Sequence, residues 1–140
     1  EILRCLVGSE MCIRDSLEIA QTLNKATAVV TDNDGDIEAV KKKYKEYEEI
    51  PCIHICVDNV VDTGDLKLSN KDFNYNTLEP KILKENGREV MNNIFGTNYN
   101  TDDEMHKYMH AHKTDCAIAI FESATKIKYP EYIMRAIKNE

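Results

Sequence analysis

The feature that most limits what this chain can fold into is a strand–turn–helix–strand succession in its first half. Residues 26–31 (ATAVVT) form a short β-branched run, the composition of a buried parallel strand. Asp32 to Asp36 is then a polar turn containing Gly35. Residues 37–49 follow, with Ile37, Val40, Tyr44 and Tyr47 at helical spacing and charge on the opposite face. Pro51 stops that helix, and residues 52–57 (CIHICV) make a second strand. Two strands joined through a helix pair in parallel, as a right-handed βαβ unit. The expected fold class is therefore α/β, a parallel sheet flanked by helices.

The rest of the chain reads as helical pieces. Residues 17–24 form a short helix before the first strand, with Leu17, Ala20 and Leu23 on one side. Residues 58–76 are long and polar, a loop or a weak hairpin. Five helices are then expected over 78–85, 88–95, 102–112, 115–124 and 131–138, with Gly87 and Gly96 as separators. Thr114 is the expected N-cap of the fourth and Pro130 the first-turn residue of the fifth. Ile118, Ile120 and Phe121, with Tyr132, Ile133, Ala136 and Ile137, are expected to pack on the sheet.

Bulk properties narrow the classes. A length of 140 residues suits one domain, and 42% hydrophobic with 31% charged residues suits a folded core. A net charge of −7 argues against a module that grips DNA by itself, because phosphate contacts need Lys and Arg. It leaves room for a metal site acting on DNA held elsewhere, since bound cations reset the local charge. Five cysteines without a secretory signal imply free thiols in a reducing cytoplasm. No apolar run approaches the roughly 20 residues that span a bilayer, so no membrane partner is expected.

Chemistry concentrates at Thr31-Asp32-Asn33-Asp34-Gly35-Asp36, at the C-terminal end of an apolar strand, where open α/β sheets place ligands. In extended backbone Asp32 and Asp34 project to one side, and close carboxylates repel unless a proton or cation lies between them. Oxygen ligands at this spacing favour Mg²⁺ or Mn²⁺. The structural alternative is an acidic turn that caps the next helix, with Asp36 at the positive end of its dipole. An EF-hand does not fit, because the twelfth position from Asp32 is Lys43 where a bidentate Glu is required. His106 with His110, and His112 with Cys116, have a helical spacing that permits zinc, but no second strong pair converges on them. Solvated histidines are the simpler reading. Cys52 and Cys56 stand about 13 Å apart along a strand and read as core thiols.

The segment 28–36 (AVVTDNDGD) resembles the Asp-x-Asp motif of Toprim domains, in the form found in OLD-family ATP-dependent endonucleases. The resemblance continues at Asn76-Thr77-Leu78-Glu79-Pro80, at His112-Lys113-Thr114-Asp115-Cys116-Ala117, and at Tyr129-Pro130-Glu131-Tyr132-Ile133 with Ala136-Ile137. It spans about residues 17–139. It implies a Toprim-like sheet with a helical C-terminal part and a metal-dependent DNA endonuclease or nickase. Asp32 and Asp34 would bind metal and act in catalysis. Asp36 and Glu79 would be further metal candidates, and Lys113 would steady a phosphate oxygen. The cofactors implied are Mg²⁺ or Mn²⁺, two ions in the complete domain. ATP would enter only through an upstream ATPase domain. DNA and that ATPase domain are the partners implied, and a homo-oligomer is compatible.

One family element has no counterpart. Toprim domains carry a catalytic glutamate on an earlier strand, and Glu18, on a predicted helix, is the only acid between residues 17 and 31. An N-terminally truncated domain over residues 17–140 is the expectation. Residues 1–16 (EILRCLVGSEMCIRDS) resemble translated sequencing-adapter sequence and are expected to be foreign to the fold. Their apolar positions, Ile2, Leu3, Leu6 and Val7, are the alternative case for a genuine first strand. Two other functions compete with the nuclease. A receiver-like phospho-acceptor domain would hold Mg²⁺ with paired acids and use Asp58 as acceptor. A non-catalytic interaction module would use the acidic turn only as a cap.

Overall fold

The computed structural model describes residues 10–63 and 74–138. Among them lie seven α-helices and a two-stranded parallel sheet, a mixed α/β fold. The chain divides into two compact units. The first holds the chain up to Thr31, then Asp36–Asn59, then the C-terminal helix. The second holds Asp32–Gly35 and Val60–Pro130.

The first unit is built on β1 (Thr27–Thr31) and β2 (Ile53–Val57), paired in parallel with Thr27 opposite Ile53 and Thr31 opposite Val57. Parallel strands need a crossover, supplied by α2 (Ile37–Tyr44) and a single 3-10 turn, Lys45–Tyr47. Asp36 caps α2 by accepting the Ala39 N–H at 3.0 Å. Lys41, Lys42 and Lys43 fall in its last turn, where the helix dipole favours cations. The helical stripe read from the sequence does bury Tyr44 and Tyr47, which pack with Leu17 and Ile53.

Two details differ from the expectation. β1 is not wholly buried: Val30 is 46% exposed, and exposure alternates along the strand. The first helix, α1, spans Glu10–Thr22 rather than starting at Leu17. No Gly or Pro interrupts residues 10–16, and Ile13, Leu17 and Ala20 make one stripe at helical spacing. Leu17 and Ala20 are buried, and Ile13 packs against the same cluster. Seven of the sixteen residues read as foreign thus belong to a helix, and residues 1–9 lie outside the described ones.

The second unit packs four helices: α3 (Leu78–Asn86), α4 (Arg88–Phe95), α5 (Asp102–Ala111) and α6 (Lys113–Glu122). Their core is Ile82, Leu83, Met91, Met105, Met109 and Cys116. The helix ends are written into the sequence. Gly96 adopts a left-handed conformation and returns its N–H to Asn92, the usual glycine stop. Thr101 and Glu104 form a complete capping box on α5. Asn86 holds the segment before Pro130 by bonding both the N–H and the carbonyl of Lys128.

Here too the sequence expectation needs correction. α6 begins at Lys113 with His112 as its N-cap, so Thr114 lies inside the first turn. Ile120 packs on the helical core, while Ile118 and Phe121 are 50% and 75% exposed. This helix faces α4 and α5 rather than the sheet. The final helix, α7 (Glu131–Lys138), does pack on both strands, through buried Tyr132 among others. The expected loop or hairpin over 58–76 falls largely outside the described residues; residues 58–63 carry no regular structure. No helix among the described residues is long and apolar enough to cross a membrane.

The place of Ile13 is directly testable. Ile13→Ala should lower stability by about 1–2 kcal/mol, the lower end for a large-to-small change at a partly buried site. An unchanged urea midpoint would mean that the helical turn from Glu10 to Ser16 adds nothing to the fold.

Candidate functional site

The acidic turn is shaped by its central asparagine. Asn33 is fully buried, at 0% exposure. Its side-chain oxygen accepts the Gly35 N–H at 2.8 Å, and its amide donates to the Val60 carbonyl at 2.8 Å. That first bond is an Asx turn, which replaces strand pairing with a local bond. It places Asp34 at φ 50° and Gly35 at φ 91°, both in the left-handed region that Asn, Asp and Gly tolerate. The backbone therefore leaves the extended conformation at Asp34. The alternation rule that set Asp32 and Asp34 on one side does not apply to this turn.

The carboxylates differ in setting. Asp32 is half-buried and Asp34 exposed. Asn74 donates to Asp34 at its carbonyl, 3.2 Å, and at its carboxylate, 3.4 Å. Asn76 stands against Gly35, 3.5 Å from where a Cβ would lie, and bonds both backbone groups of Asp62. Asp36 caps α2 in the first unit, which is the structural role weighed against metal ligation.

Lys81 is the residue that sequence reading missed. It lies on α3, 8% exposed, and donates to the same Val60 carbonyl at 2.8 Å. Burial lowers its pKa, and the charge of Asp32 works in the opposite direction. The Asp32 carboxylate thus has a cationic neighbour inside the second unit. The missed signal was modest: Lys81 interrupts the apolar positions of α3 at the start of its second turn.

Glu79 and Lys113, expected separately as metal ligand and phosphate contact, meet at 2.7 Å. The Glu79 side chain is only 14% exposed and that of Lys113 56%. Burial tends to raise the Glu79 pKa, but bonds from Lys113 and from its own backbone N–H prevail, and the carboxyl ends below its usual range. His106 on α5 is buried at 4% exposure. Burial lowers its pKa, Glu79 raises it and His110 lowers it, with a net lowering. The solvated reading of His106 is therefore corrected: its ring is in the core, 6.1 Å from that of His110.

Cys116 is buried and its thiol is pushed up to about 11, by burial first and then by Asp115 and Glu79. It is held protonated, which does not suit a thiolate ligand. Cys52, Cys56 and Cys116 are free. Asp58 is 5% exposed, an awkward position for an acceptor that must reach a phosphodonor.

Among the described residues no three His, Cys, Asp or Glu side chains gather into a metal cage. Mg²⁺ keeps several waters and commonly uses one or two carboxylates plus substrate phosphates; Asp32 and Asp34 are the two carboxylates of this turn that could serve, without the same-side placement that an extended backbone would give them. Comparison of the chain with protein-family models, curated protein sequences and solved structures gives no match.

Two outcomes follow. Asn33→Ala should cost about 1–3 kcal/mol, because it removes the bonds to the Gly35 N–H and the Val60 carbonyl from a fully buried position; a loss under about 0.5 kcal/mol, as at neutral surface sites, would show that the turn does not depend on Asn33. The pH dependence has a definite sign. His106 binds its proton less readily folded than unfolded, so its contribution is lost as pH falls below the ordinary histidine value of 6.5 through the folded pKa. Glu79, with its folded pKa below 4.5, contributes above that value and loses it on further acidification. Melting temperature should therefore fall in two stages from neutral pH downward, and His106→Gln should remove the first. A melting temperature flat between pH 7 and 5 would contradict the burial argument for His106.

Proposed function

We propose that this chain carries part of a metal-dependent phosphodiester-hydrolysis site of the Toprim, OLD-family type, acting on DNA. The observation that supports it best is the Glu79–Lys113 pair at 2.7 Å. These residues come from two of the motifs that resemble the family, separated by the whole of α4 and α5, and they meet in the unit that also holds Asp32–Gly35.

The proposed roles are these. Asp32 and Asp34 would hold Mg²⁺ or Mn²⁺ on a turn kept in shape by Asn33. Such an ion, when bound, supplies charge neutralisation and a more acidic water. Lys113 has three N–H donors. One is taken by Glu79, which leaves donors for a phosphate oxygen and fixes the direction from which the charge arrives. Glu79 then acts as a positioning residue for Lys113, a role distinct from completing the metal shell. Lys81 holds positive charge near Asp32, which lowers the repulsion that would otherwise oppose two acids on one turn. The Toprim glutamate has no counterpart between residues 17 and 31, so full activity is proposed to need a glutamate strand supplied beyond them. The net charge of −7 fits the same view: gathering the duplex falls to a partner surface.

The metal reading is tested by thermal unfolding of the chain with and without millimolar Mn²⁺. Ligand linkage should raise the melting temperature, and Asp32→Asn with Asp34→Asn should remove the rise. No rise with the native residues would count against the site. The nuclease reading is tested separately, by nicking of supercoiled plasmid. A version extended upstream with the glutamate strand should nick far faster than this chain, and Lys113→Ala within it should lose most activity. Equal rates for the two versions would overturn the division of roles.

A further inference from the structure

The first unit contains a cavity of about 320 Å³ that the proposed function does not use. All five residues of β2 line it, together with Lys41, Tyr44, Glu48, Asn59 and Arg135. A run of consecutive strand residues can line one cavity in this way when the cavity follows the strand's edge.

The pairing shows which edge. Thr27 N–H donates to the Cys52 carbonyl, and Asp58 N–H donates to the Thr31 carbonyl. In a parallel ladder the even-numbered residues 52 to 58 therefore face β1, and Ile53, Ile55 and Val57 turn their N–H and C=O outward. Two of those outward groups are occupied. Ile53 N–H bonds the Ile50 carbonyl at 2.9 Å, and Arg135 donates to the Val57 carbonyl at 2.6 Å. Among the described residues nothing bonds the N–H or C=O of Ile55, in the middle of this edge.

Edges of this kind are normally blunted by Pro, Lys, a bulge or a cover. Ile53-His54-Ile55-Cys56-Val57 has none of the first three. The cavity also carries its own charge preference. Lys41 and Arg135 face the single acid Glu48 among the lining residues, with Lys41 also paired to exposed Glu38 at 3.2 Å, on a chain whose net charge is −7. Arg135 is held at this edge by its 2.6 Å bond to the Val57 carbonyl, and a guanidinium has further N–H donors that suit a carboxylate.

The geometry points to the outer edge of β2 as a docking site for an extended acidic peptide, which adds as a third strand and sets a carboxylate against Arg135 and Lys41. Main-chain bonds to Ile55 would provide affinity, and the two cations would select acidic side chains, as in other strand-addition sites.

The test uses the full chain and a fluorescein-labelled hexapeptide of alternating Val and Glu. Two control peptides accompany it, one with Lys for Glu and one fully N-methylated on its backbone. The acidic peptide should bind about tenfold or more tightly than either control, because one lacks the charge and the other the main-chain donors. Amide resonances of Ile55 and Val57 should shift on its addition. Arg135→Gln should weaken binding about tenfold, the scale for a charge-assisted bond, with partial recovery in Arg135→Lys. If Arg135→Gln fails to fold by circular dichroism, Lys41→Gln on exposed α2 surface provides the same comparison and should also weaken binding. Equal binding of the N-methylated peptide would overturn the proposal, since strand pairing would not be involved. So would inorganic phosphate reproducing the same amide shifts and displacing the peptide, which would make this a small-anion site. A concentration-dependent dimer in sedimentation, with the Ile55 amide protected before peptide is added, would assign the edge to a second copy and likewise overturn it.

Discussion

The acidic turn of the second unit depends on one carbonyl. The Val60 oxygen accepts from Asn33 and from Lys81, each at 2.8 Å. Both donors are nearly inaccessible to water, so neither can exchange its bond for a solvent one, and a buried donor without a partner is costly. That constraint joins the turn to α3 and keeps Asp32 within the field of Lys81. Asn74 and Asn76 extend the arrangement through Asp34 and Asp62. The left-handed backbone at Asp34 and Gly35 follows from the Asx bond of Asn33, and costs little with residues of those types.

The charges in this unit come in compensated sets. Glu79 meets Lys113, Lys84 meets Asp62 at 2.8 Å, and Arg88 meets Asp102 at 3.1 Å. Pairs of this kind contribute little to stability when exposed, and when half-buried they serve mainly to avoid an isolated charge. Their value here is placement. A lysine in contact with a poorly solvated glutamate has fewer directions available than a free surface lysine. The same ordering holds on α5 and α6, where buried His106 and Cys116 are both kept in their neutral forms by burial.

The helical framework was legible because its signals are local. The four helices of the second unit match their expected positions closely, since capping, glycine stops and apolar spacing all act within a few residues of one chain. The crossover from β1 through α2 to β2 was legible for a similar reason: Pro51, the β-branched runs and the tyrosine stripe lie within about one helix length of each other. Two differences remained, one local and one set by distant contacts. Ile13 joined α1 because the stripe it extends continues upstream of Leu17. α6 turned to the helical core rather than the sheet because Cys116 and Ile120, not Ile118 and Phe121, found partners.

By itself, then, the sequence determined the element order, the parallel crossover, the polar turn after β1 and the approximate places of the helices in the second unit. Only tertiary structure decided that Asn33 and Lys81 share an acceptor, that Glu79 and Lys113 touch, and that His106 is a core residue. Local structure depends on dihedral preferences and bonds within a turn or two of chain. Convergence of residues far apart in sequence depends on which faces bury together, and no short-range pattern encodes it. The outer edge of β2 belongs to the second group. A strand can be read from CIHICV, but the side on which it has a neighbour is a property of the folded sheet alone.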